Sequence, residues 1–199
     1  VGGYKIEDDK LKCIKLIIGT KEDVMGFPIK EFINKTNEKK KIYVIGNPIK
    51  HSLSPDIHNY WIKENNLIAV YEKLLIQENQ IKKLKKLLMK KNVLGANITV
   101  PYKEKIIGIA DRIDKETKES KASNTIYKSG ESICATNTDG KGFITSIKRD
   151  FGLNLERSTI FLIGAGGAAK GIAISLCKAK VETITILNRN EQKAKRLRF

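Results

Sequence analysis

The chain has 199 residues, enough for one large domain or two small ones. It is 41% hydrophobic and 30% charged with 4 prolines, which excludes a disordered chain and fits an α/β protein. A formal charge of +16 attracts anions, but much of it reads as lysine on solvated helix faces such as 81–91. No aromatic-interleaved basic ribbon points to nucleic acid.

The first 40 residues read as the tail of a preceding domain plus a linker, the polar stretch "TNEKKK" at 36–41. A regular alternation then begins. "KIYVIG" (41–46) reads as a strand. "SPDIHNYWIKENN" (54–66) reads as a helix with Ser54 as N-cap and Pro55 at the first helical position. "AVYEKLLI" (69–76) is a strand. "ENQIKKLKKLLMKK" (78–91) is a helix with Ile81, Leu84, Leu87 and Leu88 on one face, and "VLGANITV" (93–100) a third strand. After a short helix, 123–137 reads as a hairpin turning at Ser129–Gly130. A helix over roughly 140–150 follows, and 158–190 is strand, glycine turn, helix and strand. Such alternation implies parallel sheets with ligands at the carboxyl ends of strands.

Cysteines 13, 134 and 177 are odd in number and form no Cys-x-x-Cys pair, which argues for a reducing compartment, hence the cytoplasm, and against disulfides. His51 and His58 flank Pro55 and share no helix face, so no metal site is expected. The most apolar region, 159–177, is interrupted by Lys170 and glycines, and no membrane span is expected.

"GAGGAAKG" (164–171) follows an apolar strand and opens a helix. Gly164, Gly166 and Ala169 fit the G-x-G-x-x-G/A fingerprint, with Ala165, Gly167 and Ala168 completing the turn toward a dinucleotide pyrophosphate. Where an NAD site places an acidic residue after the second strand, this chain has Asn188, Arg189 and Asn190. Arg189, with Lys193 one helical turn on, suits the 2′-phosphate of NADP. Asn97, Thr99 and Lys103 alternate toward the end of the third strand, and Asp139, taken alone, reads as a helix N-cap.

"GNPIKHSLSPDIHN" (46–59), "GANITVPYK" (95–103), "SNT" (123–125), "NTDGKGF" (137–143) and "GAGGAAKG", in this order and spacing, resemble shikimate dehydrogenase from about residue 41 to Phe199. The resemblance implies a substrate-binding α/β domain at 41–140 and a Rossmann NADP-binding domain at 141–199. It further implies NADPH-dependent reduction of 3-dehydroshikimate to shikimate in aromatic amino-acid biosynthesis. Ser52 and Ser54 would bind the substrate carboxylate, and Asn97, Thr99 and Asn124 its hydroxyls or carboxylate. Lys103 and Asp139 would form the catalytic pair, with Asp139 also touching substrate and the proton donor left open between them. The partners would be small molecules, with a homodimer left open.

The chain departs from the family pattern at Ser123, where a small apolar residue is usual, and at Asn190, which replaces a threonine and would meet the adenosine phosphate. Because the family's chain continues beyond this point, the Rossmann domain reads as incomplete, with an open sheet edge that puts the fragment's own stability in doubt and leaves its activity open. Residues 2–32 are similar to the closing segment of Maf-type nucleotide pyrophosphatases. The competing expectations are a quinate/shikimate dehydrogenase with relaxed cofactor use and a non-catalytic anion- or nucleotide-binding module.

Overall fold

From Lys40 onward, runs rich in β-branched residues alternate with lysine-bearing amphipathic segments, and each run finds a place in one of two sheets. The structure is a computed structural model that describes residues 38–197. The reading of residues 2–32 lies outside the described residues.

The first sheet has six strands: β1 (Lys40–Gly46), β2 (Ala69–Leu75), β3 (Val93–Ile98), β4 (Arg112–Ile113), β5 (Thr125–Ser129) and β6 (Ser132–Thr136), in the order β2-β1-β3-β5-β6-β4. β1 pairs in parallel with both β2 and β3, as the alternation predicts. The sheet is not parallel throughout, however. The tight hairpin at Gly130, whose φ of +59 suits glycine, makes β5 and β6 antiparallel, and β5 runs antiparallel to β3. β3 is buried at every position but Asn97, as expected of a central strand covered on both faces.

Helix α1 (Ser54–Glu64) covers one face, where Ile62 and half-buried Trp61 pack on Ile42, Val44 and Tyr71. Its start lies one residue earlier than expected. Leu53 occupies the N-cap position, and Ser54 and Pro55 open the first turn. The reason is the preceding turn, closed by the Ser52 amide on the Ile49 carbonyl at 3.1 Å, which already places Leu53 in helical backbone. Helix α2 (Ile81–Leu88) covers the other face with Ile81, Leu84 and Leu88, packed against Ile45, Ile98 and Ile106. It is shorter than the stretch 78–91, because Glu78–Gln80 form a separate 3₁₀ turn. The short helix α3 (Lys115–Ser120), capped by the Asp114 carboxylate on the Thr117 amide at 2.7 Å, leads into the hairpin.

Helix α4 (Asp139–Phe151) leaves β6 directly and ends at Gly152 with φ +66. The second sheet follows: β7 (Thr159–Ile163) and β8 (Thr183–Leu187) pair in parallel, joined by helix α5 (Gly167–Lys178), and the short helix α6 (Glu191–Lys195) comes after. Ala165, Ala169 and Ala173 let α5 lie close on Leu162 and Ile186. On the opposite face Phe161, Ile163 and Leu187 are exposed.

The two sheets meet where α4 crosses α5. A Cβ at Gly140 would overlap Ser175 Oγ and the Gly171 carbonyl, and one at Gly171 would press on the Asn137 carboxamide at 3.0 Å. The absent side chains therefore set the separation of the helices. Gly140→Ala should destabilise the fold by about 1–3 kcal/mol through overpacking. Gly142→Ala, which meets open space in the same helix, should be neutral or stabilise by up to about 1 kcal/mol, the helix-propensity difference between glycine and alanine. Denaturant midpoints at constant m-value would read both.

Candidate active site

The segment after β3 fixes the first functional side chain. The Thr99 amide donates to Ile45 at 2.9 Å and the Tyr102 amide to Thr99 at 2.9 Å, which turns the chain back at the sheet's carboxyl edge. Tyr102 is buried, and its hydroxyl donates to the Ile76 carbonyl at 2.7 Å. With Tyr102 anchored, the next residue is held inward: Lys103 is 7% exposed, its carbonyl accepting the Ser123 amide at 2.7 Å.

Lys103 Nζ donates to Asp139 Oδ2 at 2.6 Å, and Asp139 is 8% exposed. The N-cap of α4 is Thr138, not Asp139 as the sequence suggested; Asp139 opens the first turn. The displacement has a local cause. The buried Asn137 carboxamide donates to Ala122 O at 2.8 Å and to Ser120 Oγ at 3.2 Å, and accepts the Asp139 amide at 3.0 Å. Asn137 thus shapes the helix entry, leaving the Asp139 carboxylate to face Lys103.

Asn124 completes the grip on this carboxylate, donating from Nδ2 to Asp139 Oδ1 at 2.9 Å and to Thr138 Oγ1 at 2.9 Å. Its Oδ1 accepts the Thr138 amide and the Thr125 hydroxyl, each at 3.1 Å. Asn97 Nδ2 donates to Thr125 Oγ1 at 3.1 Å, and the Tyr71 hydroxyl donates to Asn97 Oδ1 at 2.7 Å. Asn97, Asn124, Lys103 and Asp139, all expected from the sequence, therefore lie on one hydrogen-bond chain. Ser123, the departure from the family pattern, is fully buried and gives its hydroxyl to the carbonyls of Thr125 and Thr136 at 2.8 and 2.9 Å. It ties together the strands that carry Asn124.

Tyr71, Thr125 and Asn137 were not singled out by sequence reasoning. Tyr71 sits in an alternating strand, where a buried aromatic reads as core, and Asn137 lay inside a quoted motif with no chemistry of its own. Tyr71 is 1% exposed, stacked on His58 with centroids 4.1 Å apart and planes within 3°. Asn59 of α1 brackets its backbone, donating to Tyr71 O and accepting from Tyr71 N, both at 2.9 Å, which closes the outer edge of β2.

The remaining expected residues lie apart from this chain. Ser52 Oγ accepts the Ser54 amide at 3.3 Å; both serines are half-buried, Ser52 in the loop between β1 and α1 and Ser54 at the first position of α1. Thr99 rests its methyl at 2.5 Å from where a Cβ on Gly46 would sit. In the glycine turn, Gly164 has φ +112 and its amide donates to the Leu187 carbonyl at 2.8 Å. Gly166 caps α5 without a side-chain bond, which leaves the first-turn amides of the helix for an anion. Gly167 lies against the site: a Cβ there would stand 2.8 Å from Lys103 Cβ. Beyond β8, Arg189 and Lys193 are exposed, and Asn188 Nδ2 donates to the Asn190 carbonyl at 2.8 Å. Asn190, expected to meet the adenosine phosphate, is exposed, and one end of its carboxamide is already engaged. Its Oδ1 caps α6 by accepting the Lys193 amide at 3.0 Å. Among the described residues no His/Cys/Asp/Glu cluster suits a metal ion, and no helix is long and apolar enough to cross a membrane.

A strand–glycine turn–helix–strand unit set against a mixed sheet with a buried lysine–aspartate pair at their junction defines an α/β protein of the Rossmann-containing, two-sheet type. The family model for the shikimate dehydrogenase substrate binding domain matches residues 44–126, and that for shikimate / quinate 5-dehydrogenase matches residues 145–199. The chain belongs to the shikimate dehydrogenase family. It is 44% identical over 156 residues to shikimate dehydrogenase (NADP(+)) of Pelagibacter ubique, covering 78% of this chain and 58% of that one. The Bacillus subtilis relative is 39% identical over 159 residues, covering 79% and 57%. Among solved structures, shikimate dehydrogenase from Aquifex aeolicus superposes with a TM-score of 0.76 at 34% identity, covering 82% of this chain and 60% of that one. The Thermus thermophilus enzyme in complex with NADP(H) and shikimate gives 0.73 at 29%, covering 79% and 59%. The chain thus spans little more than half the length of the curated relatives it matches.

Burial disfavours the imidazolium form of His58 and lowers its pKa from 6.5 to about 4. The folded state therefore keeps His58 neutral where the unfolded chain protonates it. The resulting stability is complete above about pH 6.5 and is lost as pH falls toward 4, by at most roughly 3 kcal/mol. His58→Phe, which keeps the stack on Tyr71, should flatten the decline in unfolding free energy across that window relative to the wild type.

Proposed function

We propose that the protein catalyses the NADPH-dependent reduction of 3-dehydroshikimate to shikimate, with residues 41–140 binding the substrate and 141–199 the nucleotide. The observation that carries this reading is the buried Lys103–Asp139 pair, held on its second carboxylate oxygen by Asn124 and touched by the glycine turn. Reduction of a ketone builds negative charge on its oxygen and needs a proton there. Lys103 provides both: its ammonium has three donors, one of which is held by Asp139, so the others are free of that bond and aimed by it. Asp139 fixes the ammonium, Lys103 gives the proton to the oxygen, and solvent restores it. The ammonium of the pair interacts far more strongly with a developing alkoxide than with a neutral carbonyl, so it favours the transition state over the bound ketone.

Ser52 suits the substrate carboxylate. Its oxygen already accepts the Ser54 amide, which turns its hydroxyl proton away from the loop and makes it a donor. Ser54, Asn97, Thr99 and Asn124 supply further polar groups to the carboxylate and ring hydroxyls. The nucleotide site fits NADP by its own features. Open space faces Gly164 and Gly166, and α5 begins with uncapped amides. Because the Gly164 amide is committed to Leu187, Ala165, Gly166, Gly167 and Ala168 would hold the pyrophosphate. Arg189 and Lys193 would meet the 2′-phosphate and Asn188 would shape the bend before α6. When bound, NADPH supplies the hydride. In the same reading the partners are small molecules rather than nucleic acid, and the place is the cytoplasm, where Cys134 and Cys177 stay free thiols.

The test is NADPH oxidation with 3-dehydroshikimate, followed by nicotinamide absorbance, with 3-dehydroquinate in place of that ketone and NADH in place of NADPH run in parallel. Lys103→Ala should lower kcat by about 10²–10⁴-fold, the span of a lost general acid. Arg189→Ala should raise the KM for NADPH about tenfold, the value of one charge-assisted contact, and leave NADH unchanged. Full turnover in Lys103→Ala would defeat the mechanism. Nucleotide binding that is steeply salt-dependent and indifferent to shikimate would favour a plain anion-binding module instead.

A further inference from the structure

The hydrogen-bond chain beneath the Lys103–Asp139 pair has a fixed sense, and its far end is a residue without an assigned role. A carboxylate oxygen can only accept and a backbone N–H can only donate. Asn124 lies between the two, its Nδ2 on Asp139 Oδ1 and its Oδ1 on the Thr138 amide, so its carboxamide has one allowed orientation. The Thr125 hydroxyl must then spend its single proton on Asn124 Oδ1, and its oxygen must accept from Asn97 Nδ2. That turns Asn97 Oδ1 toward Tyr71, whose hydroxyl has to donate.

We propose that Tyr71 is a positioning residue: its buried hydroxyl terminates a one-way hydrogen-bond chain through Asn97, Thr125 and Asn124 to Asp139, and so fixes which face Asn97 shows to the ligand. The surroundings make it a constant donor. The ring is 1% exposed, stacked on His58 and locked by the two Asn59 backbone bonds, and burial raises the phenol pKa well above its usual value. With Oδ1 held by Tyr71, the half-buried Asn97 keeps a second N–H on Nδ2. Under the function proposed above, that N–H reads an acceptor, a ring oxygen of the substrate, and rejects a group that can only donate. Without the hydroxyl, Asn97 Oδ1 loses its partner, and only Thr125 opposes rotation of the carboxamide, since an inverted Asn97 would put two acceptors against each other there.

The hydroxyl can be removed without the ring. In ¹⁵N-labelled protein, Tyr71→Phe should move the side-chain amide signals of both Asn97 and Asn124. In a Thr125→Val background the same change should move Asn97 alone, because the chain is cut. His58→Phe, which replaces the ring stacked on Tyr71 and keeps the hydroxyl, should leave Asn124 in place. An unmoved Asn124 in Tyr71→Phe, or an equal movement in His58→Phe, overturns the proposal. Shikimate titrated into the same samples should bind about tenfold more weakly to Tyr71→Phe, the value of one displaced donor. Equal affinity in wild type and Tyr71→Phe would also overturn it. A wild type that binds no shikimate would instead sink the functional reading, while the amide signals still decide whether Tyr71 sets the chain.

Discussion

Two opposite charges under a tenth exposed, 2.6 Å apart, are an expensive thing to fold around. Each ion loses several kcal/mol of hydration, and attraction offsets that only when the remaining lone pairs and protons are met. The surroundings of Lys103 and Asp139 answer that demand. Tyr102 pins the segment that delivers the lysine, Asn137 shapes the helix entry that delivers the aspartate, and Asn124 takes the second carboxylate oxygen. Each of these side chains is engaged in holding the pair in place. A site built at such cost is better explained by what it does to a ligand's charge than by stability, since an apolar pair of similar volume would often fold as well.

The same site governs how the two sheets come together. Lys103 and Ala122 belong to the first sheet's loops, Asp139 opens the helix that leaves it, and Gly167 opens the helix of the second. Gly140, Gly167 and Gly171 each stand where a methyl group would strike a neighbour. These contacts are short-range and hold the separation sharply. The ion pairs around them, Lys170 with Glu104 at 2.7 Å and Lys178 with Glu119 at 2.7 Å and Glu116 at 3.3 Å, are exposed and worth little individually. Position is therefore set by missing carbon atoms, and the surface charges merely agree with it.

Much of this was legible in the residues. Strands and helices announce themselves by period, so β1, β2, β3, α2 and the glycine unit fell close to their expected places. The motifs around Lys103, Asn124 and Asp139 brought together side chains that the structure joins. Caps were legible only to within one residue, because Ser54 and Asp139 have the right chemistry for a cap but the turn before each decides where winding starts. The antiparallel half of the sheet followed from a hairpin whose direction relative to β3 is a tertiary matter. Asn190 was read for its place beside the adenosine phosphate, and its second use, an Oδ1 that caps α6, depends on where that helix starts. Tyr71 was invisible for a different reason. A tyrosine alternating with apolar residues signals burial, while its one polar atom acts across two strands, and no local pattern records a partner that distant in sequence.

Gly167 shows how closely binding and chemistry are joined here. In a glycine turn of this kind the small residues are usually explained by the room a pyrophosphate needs. At Gly167 the crowded neighbour is protein: Lys103 Cβ at 2.8 Å from a hypothetical methyl, with Ala122 Cβ at 3.4 Å. The amide that opens α5 and the lysine that faces Asp139 are thus in van der Waals contact through one residue. Close-packed interiors transmit displacement rather than absorb it. The first turn of α5 therefore bounds the space in which Lys103 is held, and a larger residue at 167 would have to displace either the helix or the lysine.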